Sequence, residues 1–128
     1  MELSLENKVE KITQWLLEKK ADEIIAVDVR EKCSFTEFII VCHGTATLHN
    51  KAISEFVIEK AQENKMRLLG KEGLDACVWI LLDFNDIIVH IFNEDVRSLY
   101  KIEDLWTRKS IHQEMIDSDQ ESDNSENQ

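Results

Sequence analysis

Two short apolar segments separated by a polar break constrain the fold of this chain more than any other feature. They span residues 76–82 and 87–92, and Asp83-Phe84-Asn85-Asp86 lies between them. Segments of this length that are rich in β-branched and aromatic residues favour β-strands. The break favours a tight turn, in which Asn85 is the residue best able to adopt a positive φ angle. The sequence therefore predicts a β-hairpin at this place.

The two faces of this hairpin differ in composition. A two-residue turn at Phe84 and Asn85 would pair Trp79 with His90, and alternation along each strand then separates the faces. One face carries only aliphatic side chains, those of Val78, Ile80, Leu82, Ile87, Val89 and Ile91. The other face carries Trp79, Leu81, Asp83, Asp86, Ile88 and His90. Such a mixture is typical of a protein interface, but it would equally suit a Trp79 packed beneath a helix and a hydrogen-bonded His90 at a sheet edge.

The periodicity of the remaining chain predicts one domain that contains both helices and strands. Ser4 can cap the first helix, and the hydroxyl groups of Gly44-Thr45-Ala46-Thr47 can cap the second. Asn93 can cap a short third helix. The predicted helices span about residues 4–20, 47–64 and 93–99, and the further strands span about residues 23–29, 35–43 and 68–71, with residues 102–106 closing the fold.

The net charge of −11 is concentrated at the C-terminal end of the chain. Residues 113–128 carry six acidic and no basic side chains, which leaves −5 on residues 1–112 (−11 minus −6). We expect residues 1–112 to form the folded domain and residues 113–128 to be a disordered acidic tail. Because this charge provides no cationic field for phosphates, little direct RNA binding is expected, whereas a basic protein would be attracted.

The cysteine pattern indicates a reducing compartment. Cys33, Cys42 and Cys77 are odd in number and widely spaced, which favours free thiols in the cytoplasm over a disulfide framework. The first six residues lack the basic and apolar blocks of a secretory signal. No apolar run reaches the roughly 18 residues of a membrane-spanning helix, so no membrane contact is predicted.

Several separated blocks of the sequence closely resemble the ribosomal silencing factor (Iojap-like) family. The hairpin block, residues 78–92, is followed by Arg97-Ser98-Leu99-Tyr100 and Glu103-Asp104-Leu105-Trp106. Two upstream blocks, residues 24–30 and 39–47, match the same family in the same order. The resemblance covers about residues 5 to 107 and leaves the acidic tail outside.

The resemblance implies a mixed α/β fold, in which a sheet of about five strands is flanked by helices, similar to the fold of nucleotidyltransferases. It also implies a role in translation. It implies that the chain binds the large ribosomal subunit through ribosomal protein fourteen, blocks subunit association sterically and represses translation, with a link to large-subunit maturation. No cofactor or metal is implied. The positions carried over to the contact surface or its support are Trp79, Leu81, Asp83, His90, Tyr100, Leu105 and Trp106, with Trp79 as the anchor. An exposed aromatic face would also allow the free protein to form a homodimer.

Three positions depart from the family pattern. Asn85 replaces the usual Gly in the hairpin turn, which Asn can accept because it tolerates left-handed geometry. Leu48 stands where an Arg is usual, so any contact made by that Arg is in doubt here. Phe38 replaces the usual Tyr and lacks its hydroxyl group.

The alternative function is a nucleotide-handling enzyme that retains a nucleotidyltransferase-like fold. Nucleotidyl transfer needs paired carboxylates for magnesium, yet no Asp-x-Asp pair follows Gly44-Thr45 at a short distance. Cys42 and His43 are adjacent on a strand and should point to opposite faces. Cys77 and His90 could approach each other across the hairpin, but nothing in the sequence lowers the pKa of that thiol. The sequence therefore predicts a binding protein and not an enzyme.

Overall fold

The computed structural model describes residues 3–101 of the chain. In chain order the elements are α1 (Leu5–Glu18), β1 (Asp22–Asp28), β2 (Phe38–Gly44), α2 (Thr47–Glu63), β3 (Gly70–Glu72), β4 (Trp79–Asp83), β5 (Ile87–Asn93) and α3 (Glu94–Tyr100). The predicted closing segment at residues 102–106 and the predicted domain boundary at residue 112 lie outside the described residues.

The strands form a five-stranded sheet in the order β1-β2-β5-β4-β3. The central strands β2 and β5 pair in parallel, and the other neighbouring strands pair antiparallel. Parallel pairing requires a long crossover between the two strands, and α2, β3 and β4 lie within it. The predicted mixed sheet flanked by helices is confirmed.

Helices α1 and α2 pack on one face of the sheet and enclose the larger hydrophobic core with it. Helix α3 packs on the other face, against β2 and β5. Alternate residues of β2 serve the two sides: Ile40 and Cys42 belong to the larger core, whereas Ile39 and Val41 belong to a smaller cluster on the α3 side. Both faces of β2 are therefore covered, as a continuous apolar strand predicts.

The helix caps agree only in part with the sequence. The Ser4 hydroxyl accepts a hydrogen bond from the backbone N–H of Asn7 at 3.1 Å, so the predicted cap of α1 is confirmed. The predicted hydroxyl cap of α2 is wrong, because its N-cap residue is Ala46 and no side chain caps the helix. Instead, the ring of His49 connects the start of α2 to the chain around it: Nδ1 accepts from the Thr45 backbone N–H at 3.0 Å, and Nε2 lies 2.7 Å from the Lys19 carbonyl oxygen.

The β4–β5 hairpin is present, but its turn lies one residue later than predicted. The Phe84 N–H donates to the Ile87 carbonyl at 2.9 Å, so Asn85 and Asp86 form the turn. Phe84, predicted in the turn, is only 5% exposed and belongs to the larger core. Burying this ring keeps a large apolar surface out of water, whereas Asn85 suits the exposed turn and has the predicted positive φ, +79°.

The later turn shifts the strand pairing by two residues. Trp79 is opposite Phe92 and Leu81 is opposite His90, so the predicted pairing of Trp79 with His90 is wrong. A shift of two residues leaves the side chains within the strands on their predicted faces, and the predicted aliphatic face does point into the larger core. Val78 is the exception: it precedes β4 and is 39% exposed. Asp86, predicted on the mixed face, lies instead in the turn, where its carboxylate is 3.1 Å from Nζ of Lys8 in α1.

Candidate functional site

The mixed face of β4 and β5 brings together four of the seven residues singled out in the sequence. Trp79, Leu81 and Asp83 alternate along β4, and His90 lies on β5 directly opposite Leu81. These side chains point away from α1 and α2, because the intervening residues of both strands fill the core on that side. We call these four residues, with Ile88 and Phe92 of β5, the mixed face.

A hydrogen bond joins the two polar aromatic groups of the mixed face. The indole Nε1–H of Trp79 donates to Nδ1 of His90 at 3.0 Å. The two residues are diagonal neighbours across the hairpin, a position from which long side chains can still reach each other. Because Nδ1 accepts this bond, the His90 ring is neutral and carries its proton on Nε2.

Burial favours the neutral form of His90. The residue is 8% exposed, and this burial lowers its pKa to about 4. An imidazolium would leave water without a compensating charge, which is why the protonated form is disfavoured. At neutral pH the ring is therefore available as a hydrogen-bond acceptor. With so little exposed surface, His90 supports the mixed face from below and offers little area to a partner.

Phe92 completes the aromatic cluster beneath Trp79. Its ring centroid lies 4.8 Å from that of Trp79 at a tilt of 40°, and 5.9 Å from that of His90 with nearly parallel ring planes. Phe92 is fully buried in the smaller cluster with Val41. The sequence interpretation did not select Phe92, although its position two residues after His90 places it on the same face of β5.

Half-buried side chains form the outer part of the mixed face. Trp79, Leu81 and Ile88 each retain partial exposure. Asp83 lies opposite Ile88, and its Oδ1 accepts the backbone N–H of Asn85 at 2.8 Å, so this carboxylate also fixes the turn. The result is an apolar surface with one carboxylate at its edge.

Three further predicted site residues have no described side chain. Tyr100 is the last residue of α3, the helix on the same side of the sheet as the mixed face. Leu105 and Trp106 lie outside the described residues. Their assignment to the contact surface stays a prediction.

A buried arginine fixes α3 to the end of the sheet. Arg97 is 4% exposed, and its Nη1 lies 3.0 Å from Nδ1 of His43 and 3.3 Å from the carbonyl oxygen of Asp22. Nε2 of His43 lies 4.0 Å from the Asp22 carboxylate. These contacts tie α3 to the adjoining ends of β1 and β2. The sequence interpretation did not anticipate them.

The geometry keeps the candidate catalytic side chains apart. Cys42 lies in the larger core, where burial raises the pKa of its thiol to about 12. His43 points to the opposite face of β2, as predicted for adjacent residues of a strand, and there it contacts Arg97. Cys77 is buried in the larger core and its thiol donates to the Leu74 carbonyl, so it does not meet His90 on the mixed face. Within residues 3–101 no group of three or more His, Cys, Asp or Glu side chains is placed to hold a metal ion. The described helices include none that is long and apolar enough to cross a membrane.

A family model and several named relatives match most of this chain. The family model described as "Ribosomal silencing factor during starvation" matches residues 2–128. The ribosomal silencing factor RsfS of Bacillus subtilis is 34% identical over 89 residues, 70% of this chain and 75% of that relative. RsfS of Haemophilus influenzae is 34% identical over 87 residues, 68% of this chain and 85% of that relative. A mouse relative, mitochondrial assembly of ribosomal large subunit protein 1, is 24% identical over 110 residues, 84% of this chain and 48% of that relative.

Solved structures share the fold. A crystal structure of a Chromobacterium violaceum protein superposes with a TM-score of 0.80 at 28% identity, over 82% of this chain and 88% of that one. A crystal structure of a Bacillus halodurans protein superposes with a TM-score of 0.72 at 28% identity, over 79% of this chain and 94% of that one. The sequence and structural similarities thus extend over most of the chain.

Proposed function

The chain belongs to the ribosomal silencing factor family, and from this membership we propose that it binds the large ribosomal subunit through ribosomal protein fourteen. Bound there, it occupies the surface on which the small subunit docks. The two subunits then cannot associate, and translation is repressed. Repression by occupancy requires no chemical step, so the protein acts as a binding protein and not as an enzyme.

The mixed face of β4 and β5 is the observation that carries this proposal. It combines the partly exposed Trp79, Leu81 and Ile88 with a carboxylate, Asp83. Protein interfaces are typically organised around a few aromatic anchors with polar groups at the rim. We assign the contact to Trp79, Leu81, Asp83, Tyr100, Leu105 and Trp106, with His90 in support. An interface of ordinary size, about 800 Å² on each partner, would extend beyond the hairpin.

Charge supports a protein partner over RNA. The net charge of −11 opposes the approach of ribosomal RNA but favours a basic ribosomal protein. Asp83 places a negative charge beside the apolar surface, where it can meet a cationic side chain of the partner. We therefore expect little direct RNA binding.

A contribution to large-subunit maturation is a second part of the proposal. The name of the mouse relative refers to assembly of the mitochondrial large subunit. A protein that covers the subunit-joining surface would also keep an immature large subunit out of translation.

We expect the protein to act in the cytoplasm and not at a membrane. Free copies can form a homodimer through the same apolar face, which size-exclusion chromatography would detect.

Light scattering by purified ribosomal subunits tests the proposal directly. Small and large subunits are mixed at a magnesium concentration that favours joining, with and without the protein. We expect a saturating amount of protein to suppress the rise in scattering when it is added to large subunits first. The Leu17→Ala variant is the matched control, because Leu17 is an exposed leucine of α1, on the face of the sheet opposite to the mixed face, and its loss should leave the inhibition intact. Unhindered joining at saturation would refute the proposal.

A further inference from the structure

We propose that His90 is a positioning residue, which sets the orientation of the Trp79 indole so that the docking surface is formed before the partner arrives. The inference rests on the function proposed above, and it deepens it by separating two roles within the mixed face. Trp79 makes the contact, and His90 determines how Trp79 is presented.

The first argument is the hydrogen bond itself. An indole has a single donor, Nε1–H, and in Trp79 this donor is satisfied by Nδ1 of His90 at 3.0 Å. Rotating the indole to another rotamer would break this bond and leave a buried imidazole nitrogen without a partner. The cost of leaving a buried acceptor unsatisfied therefore favours one orientation of the indole.

The second argument is that the acceptor is itself held in place. His90 lies on β5, which is paired with β2 on one side and with β4 on the other. Its ring stacks on the ring of Phe92 with an angle of 9° between the planes, and Phe92 is fully buried. The imidazole is thus fixed by two neighbouring strands and by an aromatic neighbour. Because the acceptor is fixed, the hydrogen bond holds the Trp79 indole in one orientation.

The third argument concerns the choice of residue. An acceptor at a site this deeply buried should be uncharged, because a carboxylate would lose its hydration. A neutral imidazole provides an acceptor nitrogen without that loss, and burial lowers the pKa of His90 to about 4, which keeps it neutral. The low exposure of His90 also argues against a large direct contact with a partner.

The effect of this preorganisation on binding affinity can be estimated. Immobilising a flexible side chain during binding typically opposes association by about 0.5–1.5 kcal/mol, which corresponds to about 2- to 13-fold in affinity. Loss of the His90 acceptor should therefore weaken binding by about 3- to 10-fold. This loss is smaller than that expected for loss of the anchor itself.

Three single variants of the full-length protein, and the double variant that combines His90→Leu with Trp79→Phe, test the inference. His90→Leu removes the acceptor, His90→Asn keeps an acceptor oxygen close to the position of Nδ1, and Trp79→Phe removes the donor while keeping an aromatic ring. Every variant is measured for affinity to purified large subunits, and the two His90 single variants are also measured for the chemical shift of the Trp79 indole N–H by NMR. A thermal melt confirms that each variant is folded, and His90→Asn and Trp79→Phe remain informative if His90→Leu does not fold.

We expect His90→Leu to bind about 3- to 10-fold more weakly and to shift the indole N–H resonance towards that of a free indole. His90→Asn should bind within about 2-fold of the wild type. In a Trp79→Phe background, His90→Leu should have no further effect on affinity, because the two residues act through one hydrogen bond.

The outcomes separate the inference from the proposed function. If the wild-type protein fails to bind large subunits, the proposed function is wrong and the inference is overturned with it. If the wild type binds and His90→Leu binds equally well, only the positioning role is overturned. The same holds if the effects of His90→Leu and Trp79→Phe multiply, because His90 would then act independently of the indole.

Discussion

The carboxamide oxygen of Asn50 lies against Gly44, so closely that a methyl group at position 44 would come within 2.3 Å of it. Asn50 is fully buried, and its Nδ2 donates to the Cys77 carbonyl at 2.8 Å and to Oδ1 of Asn93 at 2.6 Å. One side chain of α2 therefore connects the ends of β2 and β5 to the chain before β4. The contact leaves no room for a side chain at the end of β2.

We predict that Gly44→Ala destabilises the protein by about 1–3 kcal/mol, the usual cost of overpacking a filled site. The added methyl group would have to displace Asn50 and disturb its two hydrogen bonds. Urea denaturation measures the change. Gly70→Ala is the matched control, since a methyl group there has no neighbour within 4 Å, and its effect should stay within about 0.5 kcal/mol. Equal stability of the two variants would contradict the prediction.

Gly73→Ala should be at least as damaging, for two independent reasons. The residue has φ +82°, in the region that L side chains rarely adopt, and a methyl group there would lie 2.0 Å from the Trp79 carbonyl oxygen. The backbone oxygen cannot move away without disturbing the start of β4. We expect a loss of about 2 kcal/mol or more in urea denaturation. A variant as stable as Gly70→Ala would show that this turn adapts.

Trp79→Ala should weaken binding to large subunits by about 30- to 1000-fold, corresponding to about 2–4 kcal/mol for the loss of an aromatic anchor. Sedimentation with purified large subunits, over a range of protein concentrations, measures the affinity. Leu17→Ala removes an exposed apolar side chain from α1, on the opposite face of the sheet, and should bind as the wild type does. A loss of less than about 5-fold would rule out Trp79 as the anchor.

Acid should destabilise the protein through His90. Burial lowers the pKa of His90 to about 4 in the folded state, compared with 6.5 for an unperturbed histidine. Between these values the unfolded chain binds more protons than the folded chain, so stability falls as the pH falls through this window. The contribution lost by pH 4 is on the order of 3 kcal/mol.

Comparison with His90→Asn isolates this effect from the carboxylates that also titrate near pH 4. Urea denaturation of both proteins between pH 7 and pH 4 gives the difference in free energy of unfolding at each pH. The variant should lose less stability on acidification than the wild type. Parallel profiles would mean that His90 is not the group responsible.

Arg97→Met should loosen α3. The substitution removes the hydrogen bonds from the buried guanidinium to His43 and to the Asp22 carbonyl, at a cost of about 1.5–3 kcal/mol. Hydrogen exchange of the backbone amides of α3 should become faster than in the wild type. Arg67→Met serves as the control, because Arg67 is exposed and its replacement should leave this exchange unchanged. Unaltered protection of α3 in the Arg97 variant would contradict the role assigned to it.

Alternation along the strands is the part of the fold that the sequence specified best. Ile80 and Leu82 face α1 and α2, whereas Trp79 and Leu81 face the opposite side of the sheet, as their spacing predicts. Alternation defines a face but not a partner, because a shift of two residues preserves every face. The register between β4 and β5 depends on Phe84: because this residue is buried, the turn is formed by Asn85 and Asp86.

The contacts that could not be predicted from the sequence are mainly polar contacts between residues far apart in the chain. Arg97 contacts His43 across a sequence separation of 54 residues, and the sequence around neither residue indicates that the two are in contact. His49 likewise binds groups at the start of α2 and at the end of α1, where only a hydroxyl cap was expected. The hydrogen bond from Trp79 to His90 could have been anticipated only with the correct register, since it runs diagonally across the hairpin.

The position of β5 between β2 and β4 has a consequence for biosynthesis. A nascent chain that ends before residue 87 can pair β1 with β2 and β3 with β4, but the two pairs have no strand to connect them. Within residues 3–101, β5 is the last strand to be synthesised, and it joins the sheet into a single unit. Chains truncated before residue 87 therefore cannot complete this sheet, and they will expose unpaired strand edges that quality-control proteases and chaperones recognise.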